Sequence, residues 1–549
     1  MNLLSSINRP HLIHQLSSEE YDLLIIGAGI TGAGIALDAA SRGIKTALID
    51  KQDFASGTSS RSTKLIHGGL RYLQQMEFSL VREVGSERGI LYKNAPHLVV
   101  PEKMLLPLVK NGNYGKLATS FGLFVYDLLA GVKKQDRRKM LTKEQALAVE
   151  PLLNQEVLKG AGLYVEYRTD DARLTIEIIK TAVKNGADAI NYVQAENFTY
   201  KNDIITGVEC QDLLSSHVFK IKAKQIVNAS GPWVDELRKK DHYLKGKKLH
   251  LTKGVHLVVP KEVFPVKQAI YFDAPDKRML FAIPRANVTY FGTTDTDYSG
   301  NLEHPTVSQK DVEYLINSVN EIFPAINLTK DKIISSWAGI RPLIHEEGKP
   351  PYELSRKDEI FVSKSGMISI AGGKLTGYRK MAERVVNKVM ENLHERSGFI
   401  YVKCKTENIR INGGEFKNPE LVDEYILQVF QRIKAWNLNK EKAEYLVRTY
   451  GKQTDLLLQK LDEFKDEDPE ILLARTELWF TLNYEAVFHL HDFIIRRSGK
   501  LYFDVAIIKK LLPVLLSDMQ VYHSWSDNET EQEKITIENI LLQVTNFKV

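Results

Sequence analysis

Hydrophobic spacing changes twice within residues 21–50, YDLLIIGAGITGAGIALDAASRGIKTALID. The continuous apolar run Leu23 to Ile26 predicts a buried strand, and the small and apolar residues that follow keep helical spacing to about Gly43. A second apolar run then ends at Asp50. The predicted order is strand, tight turn, helix, strand. Further on, ARLTIEIIKTAVKNGADAI predicts an amphipathic helix closed by Gly186, and QIVNASGPWVDEL a buried strand reaching Gly231. RMLFAIPRANVTYFGTTDTDY predicts two strands of an antiparallel hairpin turning at Ala286-Asn287. GMISIAGGKLTGYRKMAERVVNKVM is again strand, double glycine and helix. Past residue 400 the spacing is mostly helical, as in LVDEYILQVFQRIKAW, with a charged break at DEFKDEDPE. There is no internal repeat or low-complexity tract.

This pattern predicts an α/β body followed by a helical tail from about residues 400–415. The N-terminal glycine motif and the later strand–double glycine–helix element are expected in one sheet, holding one long nucleotide from both ends.

Composition narrows the class. A chain of 549 residues exceeds one compact domain. Hydrophobic and charged fractions of 43% and 26% suit a soluble globular protein. Cys210 and Cys404 are the only cysteines, which excludes a disulfide framework and a cysteine metal quartet, and no metal is expected. No apolar run reaches the roughly 18 residues of a spanning helix, and the first residues lack the core of a signal peptide. The expected location is the cytoplasm, with attachment to a membrane surface left open. Residues 1–400 carry 54 basic and 45 acidic side chains, a net +9; residues 401–549 carry 20 and 24, a net −4. The part that holds the motifs therefore suits anionic ligands, and the tail lacks the basic stripe that nucleic acid requires.

Gly27-Ala28-Gly29-Ile30-Thr31-Gly32 stands in the context a dinucleotide fingerprint demands. Gly27 permits the tight turn, Gly29 the approach of backbone to a pyrophosphate, and Gly32 close packing of helix on strand. The helix N-terminus offers unpaired N–H groups to the anion. Asp50, 18 residues beyond Gly32, falls where a carboxylate grips ribose hydroxyls. A second cluster, RSTKLIHGGLRYL at 61–73, adds cationic groups around a glycine pair.

Together with GTSSRSTKLIHGGLRYL, IVNASGPWVD, GVHLVVP, FGTTDTDY, AGIRPL, AGGKLTGYRK and FIIRRSGKLYFD, the fingerprint resembles the FAD-dependent, aerobic, quinone-linked glycerol-3-phosphate dehydrogenases over roughly residues 20–500. The resemblance implies an α/β fold with a Rossmann-like FAD-binding domain of the glutathione-reductase and amino-acid-oxidase type. A β-rich substrate domain and a C-terminal, mainly helical domain complete it. The implied boundaries are 15–100, 160–235 and 335–398 for FAD, 101–159 and 236–334 for substrate, and 400–549 for the tail. The implied reaction oxidises sn-glycerol 3-phosphate to dihydroxyacetone phosphate, with electrons passing through FAD to a membrane quinone.

A phosphate dianion favours two or three cations, with arginine preferred for bidentate contact. The resemblance assigns Arg71, Arg341 and Arg356 to this clamp with Tyr72 beside them; Pro342 is expected to stop a strand and leave Arg341 at a loop edge. Thr293 is a candidate partner for a substrate hydroxyl. His256, alternating with Val255 and Leu257 on a strand, is the expected base for the carbon-2 hydroxyl proton, with His67 its rival. Lys374, opening a helix after Gly372-Gly373, is expected to steady negative charge on flavin or substrate. Flavin contacts are expected from Gly27, Gly29, Ile30, Thr31, Gly32, Asp50 and Lys51. The second cluster adds Ser59, Ser60, Ser62, Thr63, Lys64, Leu65, His67 and Gly68. Ala195, Ala229, Ser230 and Gly231 follow, and Gly373, Lys374, Leu375 and Thr376 complete the set.

YGKLATSFGLFVYDLLAGVKKQDRRKM, 114–140, joins apolar Phe121, Leu123, Phe124 and Leu128 to a basic cluster, as an interfacial segment would. Family membership implies peripheral attachment to the inner face of the cell membrane, and the tail either caps the body or forms a homodimer contact. A glycerol-3-phosphate oxidase, reducing oxygen to peroxide, is the nearest alternative; an insertion expected of such relatives is absent after GVKKQDRRKM. An amino-acid oxidase would need one arginine for its carboxylate, whereas several motif cations stand here.

Overall fold

A computed structural model describes residues 4–66, 78–110, 112–113, 138–345, 358–464 and 468–547. Strand Glu20–Ile26 begins three residues before the apolar run that predicted it, and from Leu23 onward every side chain is buried. Such a run belongs in the middle of a parallel sheet covered on both faces. It pairs in parallel with Thr46–Ile49 on one side and Val218–Asn228 on the other. The full order is Asp358–Val362, Ile368–Gly372, Val218–Asn228, Glu20–Ile26, Thr46–Ile49, Asp188–Ile190, and the first of these alone runs antiparallel to its neighbour on that path. One strand therefore separates the fingerprint strand from the strand before Gly373, and the two glycine-rich turns leave the same sheet. Hairpin Val193–Lys201 and Ile204–Asp212 adds to the N-terminal part of Val218–Asn228.

Helix Ile30–Ser41 packs against helices Asp171–Lys184 and Tyr378–Ser397. Its Gly34 allows the close crossing: a Cβ there would stand 2.7 Å from the Tyr378 ring. Helix Asp171–Lys184 is the amphipathic helix predicted before Gly186, N-capped by the Asp170 side chain.

A second sheet is built around strand Leu249–Pro260. Ser335–Ile344 pairs antiparallel along most of its length, and Val288–Gly292 along its C-terminal half. Met279–Arg285, Ala269–Asp273, Val100–Val109 and Leu158–Arg168 continue the sheet outward to the short Leu65–Ile66. The predicted hairpin turns at Ala286 (φ 49°) as expected. Three of these strands, Leu65–Ile66, Leu158–Arg168 and Ser335–Ile344, lie wholly or mostly within segments whose expected assignment is the flavin-binding unit.

Three local expectations are corrected. Pro342 does not end its strand: Ser335–Ile344 runs through Arg341 and Pro342, because this strand pairs with one neighbour and an outer strand tolerates a missing N–H. The strand before Gly231 stops at Asn228, whose side chain turns back to bond the Val234 carbonyl and Ser230. Lys374 precedes a 3-10 turn, Leu375–Gly377, and the long helix starts at Tyr378.

The tail is helical: Leu421–Ile433, Lys440–Tyr450, Thr454–Leu461, Pro469–Tyr484, Val505–His523 and Asp527–Gln543 are its longer helices. Its first helices close a core of their own, with Val429, Leu446, Leu457 and Phe480 in one buried cluster, but its later apolar side chains pack on the body. Leu478, Phe493, Leu515 and Met519 join one cluster with Met104, Leu106, Tyr290 and Trp337 of the second sheet. Among the described residues no helix is long and apolar enough to cross a membrane.

Candidate active site

Two adjoining clefts open at the C-terminal ends of the parallel strands, where ligands of open α/β sheets bind. The larger, about 270 Å³, is lined by Gly27, Gly29, Ile30, Thr31, Asp50, Lys51, Ser59, Ser62, Ala195, Ala229, Ser230, Gly231, Gly373, Lys374 and Leu375 among others. Its floor is shaped by absent side chains. Gly27 has φ +107°, and a Cβ would meet the Ala229 carbonyl oxygen at 2.6 Å. A Cβ on Gly32 would fall 1.8 Å from the Gly27 carbonyl oxygen, so the helix could not approach the turn.

Asp50 sits at the cleft floor and accepts the Ala28 and Gln52 amides at 2.6 and 2.9 Å. Burial outweighs these bonds and pushes its carboxyl up to about 6. Each oxygen retains a lone pair, which suits the hydroxyls of a ribose. Ser59 accepts the Ile30 amide at 2.9 Å and so fixes the entry to the helix. Lys51 bonds Glu303 at 2.6 Å and lies over the Trp233 ring. A glycine cradle, a helix N-terminus and a carboxylate thus line one elongated cleft, and these groups fit FAD.

The smaller cleft, about 160 Å³, shares Thr58, Ser62, Pro342, Gly373, Lys374 and Leu375 with the first. It adds Arg61, Thr63, Leu65, His256, Arg341 and Thr376. His256 is held in register between Gly292 and Trp337 on the neighbouring strands. Its ring stacks on the Trp337 indole at 4.8 Å, and a Cβ on Gly292 would press its Cδ2 at 2.7 Å. Nε2 lies 3.0 Å from the Thr63 hydroxyl, and the buried Nδ1 has no hydrogen-bond partner. Burial, then the charges of Arg341 and Lys64, hold this imidazole well below its ordinary range, so it is neutral.

Arg341 donates to the Thr294 carbonyl at 3.0 Å, to Asp295 at 2.9 Å and to the Thr293 hydroxyl at 2.8 Å. Space for its guanidinium comes from Gly254, where a Cβ would stand 2.3 Å from Nη2. The expected reading missed Gly254, Asp295 and Trp337. The motifs GVHL, GTTDTD and WAGIRPL carry them, but their meeting depends on strand register.

The expected residues divide three ways. His256, Arg341, Lys374 and Thr376 line one cleft, and Thr293 touches Arg341. Gly32, Ser60 and Lys64 line neither cleft. Ser60 is buried, and the Lys64 ammonium bonds Asp171 at 2.5 Å and the Ser60 carbonyl at 3.1 Å. Against the cost of burial, Asp171 and Asp170 hold it above the ordinary lysine range. Arg71, Tyr72, His67, Gly68, Arg356, Phe121, Leu123, Phe124 and Leu128 lie outside the described residues.

Two sheets with a flavin cleft and an adjoining substrate-sized cleft define an FAD-dependent oxidoreductase. Residues 22–379 match the family described as FAD dependent oxidoreductase, and residues 404–530 the C-terminal domain of alpha-glycerophosphate oxidase. The chain is 48% identical over 542 residues to the aerobic glycerol-3-phosphate dehydrogenase of Bacillus subtilis (strain 168), spanning 98% of this chain and 97% of that relative. It is 50% identical over 525 residues to the aerobic glycerol-3-phosphate dehydrogenase of Staphylococcus aureus (strain USA300), 94% of each chain. The crystal structure of the glycerol-3-phosphate dehydrogenase from Bacillus halodurans complexed with FAD superposes with a TM-score of 0.85 at 41% identity, over 100% of both chains. L-alpha-glycerophosphate oxidase from Mycoplasma pneumoniae shares the fold alone, with a TM-score of 0.55 and 17% identity over 70% of this chain and 97% of that one. The chain belongs to the family of aerobic glycerol-3-phosphate dehydrogenases. The expected family, fold class and FAD cofactor are thereby borne out.

Proposed function

We propose that this enzyme oxidises sn-glycerol 3-phosphate to dihydroxyacetone phosphate and passes the electrons to a membrane quinone. The observation that carries the reading is the small cleft. A neutral histidine with one bare nitrogen, an oriented arginine and a lysine meet there, directly beside the flavin cleft. Bound FAD, held by the fingerprint glycines, Asp50, Ser59 and the 229–231 and 373–376 turns, supplies the two-electron acceptor.

The chain's own groups do the rest. Arg341, with Arg71 and Arg356 as further members of the clamp and Tyr72 beside them, takes the phosphate. Thr293 is a second polar contact on the same wall. His256 accepts the proton of the carbon-2 hydroxyl as the hydrogen on that carbon departs with its electron pair. Arg341 is one of the charges that weaken this base. A phosphate bound to the guanidinium offsets that charge, so substrate binding strengthens the group that must act next. Lys374 places a cation where the developing alkoxide needs one.

Segment 114–140 is the proposed membrane contact, combining apolar side chains with a basic run. The match of the tail to an oxidase domain keeps oxygen as the second reading. The test is anaerobic addition of sn-glycerol 3-phosphate to the holoenzyme while its visible flavin absorbance is followed, and then admission of a quinone analogue or air. Bleaching reversed quickly by quinone, and slowly by air with little peroxide, supports the proposal. Rapid peroxide formation in air would replace quinone by oxygen, and a flavin that never bleaches would overturn the substrate.

A further inference from the structure

Three side chains with metal-binding chemistry meet in the tail, away from both clefts. His489 and His491 follow helix Pro469–Tyr484, and Glu533 projects from helix Asp527–Gln543. Their ligand atoms all lie within 4.8 Å of one another. His489 Nδ1 is 3.0 Å from Glu533 Oε2, and His491 Nδ1 is 4.0 Å from Glu533 Oε1. Ligands of a tetrahedral zinc ion, each bound at about 2.0–2.2 Å, stand roughly 3.4 Å apart. The observed separations bracket that value.

The arrangement exceeds what a structural ion pair needs. Glu533 accepts the Leu490 amide at 2.7 Å and already bonds His489. That leaves His491 unexplained: its Nδ1 is buried without a hydrogen-bond partner, while Nε2 lies 3.4 Å from Asp492. Asp492 is itself fixed by the Tyr192 hydroxyl at 2.7 Å, by Arg496 at 2.6 Å and by the His489 amide at 3.0 Å. A carboxylate behind one imidazole nitrogen and a bare nitrogen on the other side is the order carboxylate, histidine, metal. His491 also borders a third cavity, of about 410 Å³, which leaves room for a water as fourth ligand. Cysteine count excludes thiolate sites only; two imidazoles and a carboxylate favour Zn²⁺ or a neighbouring divalent transition ion over Ca²⁺ or Mg²⁺.

We propose that His489, His491 and Glu533 form a binding site for one such ion, which pins the C-terminal helix to the segment that Asp492 ties to Tyr192, in the turn between strands Asp188–Ile190 and Val193–Lys201 of the flavin-binding sheet. The test uses the full-length, FAD-loaded enzyme without added histidines, stripped with a chelator. Zn²⁺ is titrated by calorimetry and Co²⁺ by its visible d–d absorption, each with the thermal midpoint. One ion per chain and a raised midpoint are expected. Glu533→Gln, which keeps the acceptor for Leu490, and His491→Leu each weaken binding more than about tenfold and abolish the rise. His14→Ala, at an exposed site, leaves both unchanged. No stoichiometric binding, or equal binding by the parent and Glu533→Gln, overturns the proposal.

Discussion

At the scale of the residue, His256 is defined by what surrounds it. Thr63 occupies one ring nitrogen, Trp337 one face, and no described group reaches the other nitrogen. His256→Asn retains a polar group of similar reach but no base. The expected outcome is a fall in kcat of about 10²–10⁴-fold, typical of a lost general base, with KM little changed because the proposed phosphate clamp is left untouched. The pH profile gives a second check. A base lowered well below 6.5 is already deprotonated at neutrality, so kcat/KM in the free enzyme stays level through that region and falls only in more acid solution. An acid limb centred at or above pH 7 would remove His256 from the role. That His256 and Arg341 would meet in one cleft was legible in the sequence because each sits in a short, distinctive motif. The pairing of the Lys64 ammonium was not legible, because its partner Asp171 lies 107 positions away and only the fold brings the carboxylate to the serine-rich segment.

At the scale of the element, legibility follows how local the cause is. The fingerprint unit is set by period and glycine placement within thirty residues, and its strand and helix stand where the pattern put them. Strand Ser335–Ile344 outruns the local signal, because Pro342 breaks a strand only when both neighbours need its N–H, and this strand has one neighbour. Least legible was the five-residue π-helical turn Phe493–Arg497. Its two arginines stand in the motif FIIRRSGKLYFD, in which nothing local points to their partner, and both are buried against Asp53. Asp53 accepts Arg497 at 2.7 and 2.8 Å, Arg496 Nε, and Asn191 at 3.0 Å. Removing its charge leaves two guanidiniums short of a partner in a dry seam. Asp53→Asn is expected to cost about 3–5 kcal/mol, as for other broken buried pairs. Adding Arg496→Met should recover part of the loss, since one stranded cation is gone. Thermal midpoints of the single and double variants check this. A single variant as stable as the parent would mean that the seam is hydrated.

At the scale of the whole molecule, body and tail share apolar core and buried charge, so they are expected to unfold together rather than in sequence. Arg173 and Lys180 of the body bond Glu485 of the tail at 2.5 and 2.8 Å. His97 lies in the same seam, against Phe416 and close to Gly413 and Gly451, fully buried with neither ring nitrogen bonded. Burial, then the charges of Arg173, Arg448 and Lys180, lower this imidazole to about 3. Above pH 6.5 it is neutral in both the folded and the unfolded chain and contributes nothing to pH dependence. Below 6.5 the unfolded chain binds a proton that the folded seam refuses, so stability is lost progressively until the pH nears 3. One pH unit corresponds to about 1.4 kcal/mol, which makes the penalty at pH 5 about 2 kcal/mol. His97→Leu removes the titration while keeping an apolar side chain against Phe416. The variant should therefore gain on the parent as pH falls from 7 to 5, with one transition in each. Thermal midpoints of the matched pair across that range decide the point: a constant offset would show that acid enters elsewhere, and two separate transitions would show that body and tail are not one cooperative unit.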